Sequence, residues 1–245
     1  MMFVRKELKT QAKEIIKRKY FVMVLICLIA AFLGSSIIDL DVNVEAETSI
    51  IYLFSWWPIS VSYKKTLMMA FPLLIVTALW LIFVAYPIQV GVANYFKRAT
   101  NDLEKFEDLW SSFKENYGHH VKVMFAMRIR ILLWALLFVI PGLMKIYSYY
   151  FVQFLVTDYP DATPEELMEM SEKMTKGSRF EIFILNMSFF LWSLLATFIS
   201  LFTYGLGGIL LQPYISQTDA QLYQWAKINR LNVSEDLIYD ENDTI

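Results

Sequence analysis

The chain has 245 residues, of which 57% are of apolar type and 19% charged, with a net charge of −2. Soluble domains run nearer a quarter charged, and here the apolar residues gather in blocks long enough for a bilayer core of about 30 Å. These blocks point to a polytopic membrane protein, and nothing in the near-neutral balance suggests nucleic acid. The single cysteine, Cys27, allows no intramolecular disulfide and reads as a small buried apolar residue.

Residues 1–19 are basic, with Arg5, Lys6, Lys9, Lys13, Lys17, Arg18 and Lys19. Phe3, Val4, Leu8, Ala12, Ile15 and Ile16 recur between them at helical spacing. The pattern predicts an amphipathic helix on the membrane surface, attracted to anionic lipid headgroups. The block 20–38 is the first span, a retained anchor rather than a cleaved signal peptide. Residues 39–66 carry four acids and the run "IIYLFSWWPISV", too short to cross. Trp56 and Trp57 suit an interface, so this is an outer segment that dips onto the bilayer and closes at Lys64 and Lys65.

The second span is 67–96, with Pro72 and Pro87 inside it. Residues 97–120 form a charged loop, in which Leu103, Phe106, Leu109, Trp110 and Phe113 predict a short amphipathic helix. From 121 to 157 the chain is nearly all apolar, about 55 Å if it were one helix. It reads as two spans, 121–140 and 142–157, with Pro141-Gly142 as an outer turn. Residues 158–178 are aqueous. Thr163, Pro164 and Glu166 make a capping box that starts a helix, and Gly177 ends it. Spans 179–204 and 206–226 follow, joined at "YGLGG", and an acidic tail occupies 227–245.

The fold expected is therefore all-α, a single bundle over 20–226 crossing six times, with both termini cytoplasmic. The alternative, one kinked span over 121–157, gives five crossings. It would move Lys173, Lys176, Arg179, Lys227 and Arg230 outside, against the positive-inside rule. In the six-span arrangement Arg128 and Arg130 lie part-way into the third span, where a charge is costly; either they snorkel to the cytoplasmic edge, or the residues before Ile131 form an interfacial helix.

The pieces "IPGLMKIYSYYFVQFLVTDYP", "SEKMTKG", "LNMSFFLW", "GLGGILLQPY" and "QLYQWA", in this order and spacing, resemble the DUF975 family of bacterial integral membrane proteins. The likeness covers roughly 130–226 and, more loosely, the basic N-terminus and first span. It implies a multi-span protein, most often of Gram-positive bacteria, and brings no activity or catalytic residues. Met174-Thr175 stands where the family usually has paired methionines.

His119-His120 with Glu115 could ligate a metal, but adjacent histidines on a helix diverge and no third ligand is evident. No Ser-His-Asp, GxSxG, HExxH or phosphate-loop pattern appears. The sequons at Asn186, Asn232 and Asn242 read as chance. Pro141, Gly142, Gly205, Gly207 and Gly208 read as turn or helix-packing positions. The candidate site is an intramembrane polar cluster of Arg128, Arg130, Lys145, Gln153, Asn186 and Gln212, since such residues usually face a bundle interior. The function expected is that of a non-enzymatic binding or accessory protein, without cofactor or metal. It would have the lipid bilayer and a membrane protein or peptide as partners. Such a protein could protect against membrane-active peptides or assist a transport or envelope system. The alternative is a small transporter or permease component, favoured by the kinking prolines.

Overall fold

A computed structural model describes residues 3–33, 75–202 and 206–231. The outer segment around Trp56 and Trp57, the start of the second span, Gly205 and the tail sequons lie outside the described residues.

Among the described residues every regular element is a helix. The order is α1 Arg5–Phe32, α2 Ile75–Ala99, α3 Asp108–Lys114, α4 Tyr117–Leu137 and α5 Val139–Ser148. Then come α6 Val152–Asp158, α7 Pro164–Thr175, α8 Arg179–Phe202 and α9 Leu206–Leu231.

The basic N-terminal segment and the first apolar block are two helical stretches of α1 that meet at a break at Lys19 (φ −133°, ψ 27°), the boundary expected from the sequence, and α1 lies antiparallel along α9. Phe3 meets Trp225 edge-on at 5.5 Å, and the Tyr20 hydroxyl donates to the Leu210 carbonyl at 3.2 Å. Its apolar stripe of Phe3, Leu8, Ala12 and Ile16 is part of the core. Burial against another helix satisfies that stripe as well as lipid would; Lys6, Lys13 and Lys17 stay exposed, while Lys9 turns in to donate to Ser188.

In α2, Leu81–Ala85 form a π-helical turn. Pro87 has no N–H to offer the carbonyl four residues back. That carbonyl, of Phe83, accepts from the Tyr117 hydroxyl of α4 at 2.7 Å. A neighbouring helix thus satisfies the group that the proline frees. The chain then turns back against α2: a Cβ on Gly91 would lie 2.1 Å from the Leu109 carbonyl oxygen of α3. Of the apolar positions expected to make α3 amphipathic, Leu109 is buried while Phe106 and Trp110 stay exposed.

The turn expected at Pro141-Gly142 lies three residues earlier. Phe138 is extended (φ −153°, ψ 137°), and Pro141 sits in the first turn of α5, where its missing N–H breaks no helical bond. Gly142 serves packing instead: a Cβ there would lie 2.6 Å from Ala135 Cα. The segment 142–157 is not one helix, since Tyr149–Phe151 break it into α5 and α6. The break is held by Ser171 of α7. Its hydroxyl donates to the Ser148 carbonyl at 2.8 Å and accepts from the Phe151 N–H at 3.2 Å.

The capping box at α7 is present, with Thr163 and Glu166 exchanging bonds, and Gly177 takes φ 78°. Helices α8 and α9 approach at Gly207, where a Cβ would be 2.3 Å from the Ala196 carbonyl oxygen. A Cβ on Gly208 would meet nothing, so the close approach belongs to Gly207.

Two helices, Ile75–Ala99 and Arg179–Ser200, are long and apolar enough to cross a membrane, and less than a third of the apolar 18-residue stretch in each is buried. Large apolar side chains face outward along α2, α8 and the α4–α5 tip, among them Val76, Trp80, Leu136, Ile140, Leu191 and Phe198.

Candidate functional site

Polar groups gather in two places, one above the other. The lower is a small cavity of about 70 Å³ between α1, α2, α6 and α9. Its polar lining is Gln89, Gln153, Gln212, Ser216 and Asp219, with Cys27 and Phe96 among the apolar walls. The upper is a cleft of about 820 Å³ between the ends of α2, α6 and α9 and the α3 region. Its walls carry Arg98, Lys105 and Lys114 against Glu107, Asp108 and Glu115.

The same helices build both. On α6, Gln153 and Phe154 line the cavity while Val156, Thr157 and Asp158 line the cleft. On α9 the change falls between Asp219 and Gln224. The layer between them is Asp158, with Lys97 of α2 and Lys227 of α9. Lys97 pairs with Asp158 Oδ1, Lys227 with Oδ2 at 2.7 Å, and the Tyr223 hydroxyl donates to Oδ2 at 2.5 Å. None of the three charged side chains is more than 8% exposed. The Tyr223 ring stacks on Phe154 at 4.9 Å, closing the layer from below. Burial pushes the Asp158 carboxyl up, but Lys97 and Lys227 together outweigh it and hold it below the usual range.

The cleft wall holds a second buried acid. The Lys105 N–H donates to Asp108 at 2.6 Å and Arg98 lies 3.4 Å away, yet burial dominates and raises its pKa. His120, also on the wall, has Nδ1 3.3 Å from the Ser112 carbonyl, and burial lowers its pKa. The two histidines diverge, with ring centroids 6.3 Å apart.

The six residues of the expected polar cluster divide. Gln153 and Gln212 line the cavity. Arg128 donates to Gln89 of the cavity wall at 3.1 Å. Asn186 is reached through Tyr150, whose hydroxyl lies 3.3 Å from Asn186 Oδ1 and 2.7 Å from Asp219 Oδ1. Arg130 and Lys145 are elsewhere: both pair with acids of α7, Arg130 with Glu165 at 2.8 Å and Lys145 with Glu172. An acid within reach neutralises each charge outside the cavity. The buried layer was missed because Lys97, Asp158 and Lys227 stand at the edges of apolar blocks, where charged residues read as ordinary ends. Asp158, directly after the apolar run that ends at 157, was the one available signal.

No curated protein and no solved structure matches the chain. The family model described as "Protein of unknown function (DUF975)" matches residues 124–230. The match runs from α4 to the last turn of α9 and holds Asp158, Tyr223 and Lys227, while Lys97 lies outside it. The match bears out the resemblance read from "IPGLMKIYSYYFVQFLVTDYP" to "QLYQWA": residues 124–230 of this chain are similar to the DUF975 family.

Proposed function

We propose that this chain is an integral cell-membrane protein that binds a polar ligand in the charged cleft, acting as a binding or accessory protein rather than an enzyme. The observation that carries this reading is the cleft itself: about 820 Å³, lined by both signs of charge, and closed at its base by the Asp158 layer. Both lysines and Tyr223 already engage Asp158, so that carboxylate is committed to structure rather than poised for proton transfer. The lining intermixes Arg98, Lys105 and Lys114 with Glu107, Asp108 and Glu115, with Arg98 paired to Asp108 and Lys114 to Glu107, and such mixed charge suits a ligand that itself carries both signs. A peptide, or the polar end of another membrane protein, fits that description.

The membrane reading rests on the large apolar side chains exposed along α2, α8 and the α4–α5 tip, since contiguous exposed apolar surface marks a protein or membrane contact. Lys97, Arg98, Lys114, Lys176, Lys227 and Arg230 gather at the cleft end of the helices. By the positive-inside rule the cleft then faces the cytoplasm, with both termini. The outward basic residues of α1 stand ready for anionic headgroups.

A photo-reactive residue at Gln224, which lines the cleft, tests the proposal in intact cells. Discrete peptide or protein adducts are expected there, and lipid adducts alone from the same group at Leu194. Lipid alone at both positions would overturn the reading.

A second reading, a transporter or permease component, is favoured by the polar cavity directly below the layer. Its test is ion or solute flux into proteoliposomes, with Phe154→Ala expected to raise it by opening the layer from below. An unchanged flux counts against a path.

A further inference from the structure

We infer that α4 and α5 form a re-entrant hairpin, whose apolar tip enters the leaflet next to α7 and returns to the same side. The inference rests on the membrane reading above.

Three observations carry it. The tip is bare: Leu136, Phe138 and Ile140 are 83%, 65% and 73% exposed. The two legs are tied at their base to one polar helix. Arg130 of α4 pairs with Glu165 and Lys145 of α5 with Glu172, so both legs stand on the α7 side. The third is length. The outward apolar stripe of α4 begins at Phe125, and from there to Phe138 a helix rises about 20 Å. A hydrocarbon core is about 30 Å thick, so the tip stops inside it.

The backbone is suited to such a place. A turn within hydrocarbon must satisfy its own polar groups. Phe138 does so on both sides: its N–H donates to the Trp134 carbonyl at 3.0 Å and its carbonyl accepts from the Gly142 N–H at 3.1 Å. A helix that begins there leaves its first N–H groups unpaired, and Pro141 removes one by having none. Gly142 against Ala135 keeps the legs close.

The occupant of this surface is the acyl chains of one leaflet. Among the described residues the chain then crosses four times, through α1, α2, α8 and α9, with one hairpin between, and the start of α1 and the end of α9 keep the side expected for them.

The test uses full-length protein with Cys27→Ala in native membranes. The pairs Lys145→Cys/Glu172→Cys and Arg130→Cys/Glu165→Cys are oxidised, and nitroxides at Leu136→Cys and Leu194→Cys report depth by collision with oxygen against an aqueous nickel complex. Both disulfides forming, with Leu136 in lipid, is the result expected. Neither disulfide forming in a monodisperse protein means the legs lie on opposite sides and overturns the hairpin. Disulfides with Leu136 in water and Leu194 in lipid overturn the hairpin alone. Both nitroxides in water overturn the membrane reading itself.

Discussion

The Tyr223 hydroxyl donates to Asp158 Oδ2 at 2.5 Å, joining α9 to the end of α6 across 65 residues of sequence. With Lys97 and Lys227 on the same carboxylate, this is the most densely paired buried charge among the described residues. Breaking such a group by removing one partner costs about 3–5 kcal/mol, because the remaining charges stay buried. Asp158→Asn is therefore expected to lower thermal stability in detergent the most, since it leaves two lysines facing each other. Lys227→Met should cost less, since Lys97 still neutralises the acid. Equal melting temperatures for Asp158→Asn and the parent chain would show that the layer is solvated.

The same layer has a pH signature. Burial pushes the Asp158 carboxyl up and the two lysines pull it further down, so its folded pKa lies below the unfolded value of about 3.9. A depressed acid stabilises above the unfolded pKa and loses that contribution as pH falls through the folded one. The stability difference between the parent and Asp158→Asn should be flat from about pH 8 to 5 and narrow only below about pH 4. Narrowing between pH 7 and 5 would assign the effect to another group.

Gly91 and Gly118 make a matched pair. A Cβ at 91 would meet the Leu109 carbonyl oxygen at 2.1 Å, whereas a Cβ at 118 would meet nothing within 4 Å. Gly91→Ala is expected to cost about 1–3 kcal/mol by overpacking α2 against α3. Gly118→Ala should be neutral or gain up to about 1 kcal/mol from helix propensity. Thermal unfolding of the two variants checks the order, and a benign Gly91→Ala would mean that α3 is not seated on α2.

Ala12 distinguishes a packed from a surface N-terminus. It is fully buried in the stripe that faces the bundle. Ala12→Phe should destabilise by about 1–3 kcal/mol. On a helix lying on lipid the same change would add apolar area and tighten membrane contact.

The cap of α7 is separable from the rest. Thr163→Ala removes the hydroxyl that accepts the Glu166 N–H at 3.3 Å and should cost about 1 kcal/mol of local stability. The reading is faster hydrogen exchange within 164–175. The Thr163 N–H, first, and its side chain hold the Glu166 pKa down. That half of the box persists above the unfolded value of about 4.3 and weakens as pH falls through the folded one.

What the sequence determined by itself was local. The all-helical class, the capping box at Thr163 and Glu166, and the left-handed Gly177 follow from spacing and from single-residue backbone chemistry. Those are properties a short stretch carries alone. The DUF975 likeness was legible for the same reason, in five stretches of fixed order. The tertiary structure decided everything that depends on which faces meet. An apolar stripe fits lipid and another helix equally well, so only packing shows Phe3 to Ile16 lying along α9. A lysine after an apolar run reads as a far-side anchor until Glu172 is found beside it, and a proline-glycine pair reads as a turn until Gly142 is found against Ala135. Lys97, Asp158 and Lys227 come from three distant block ends. Coulomb attraction in a buried site joins them, and no periodicity records it.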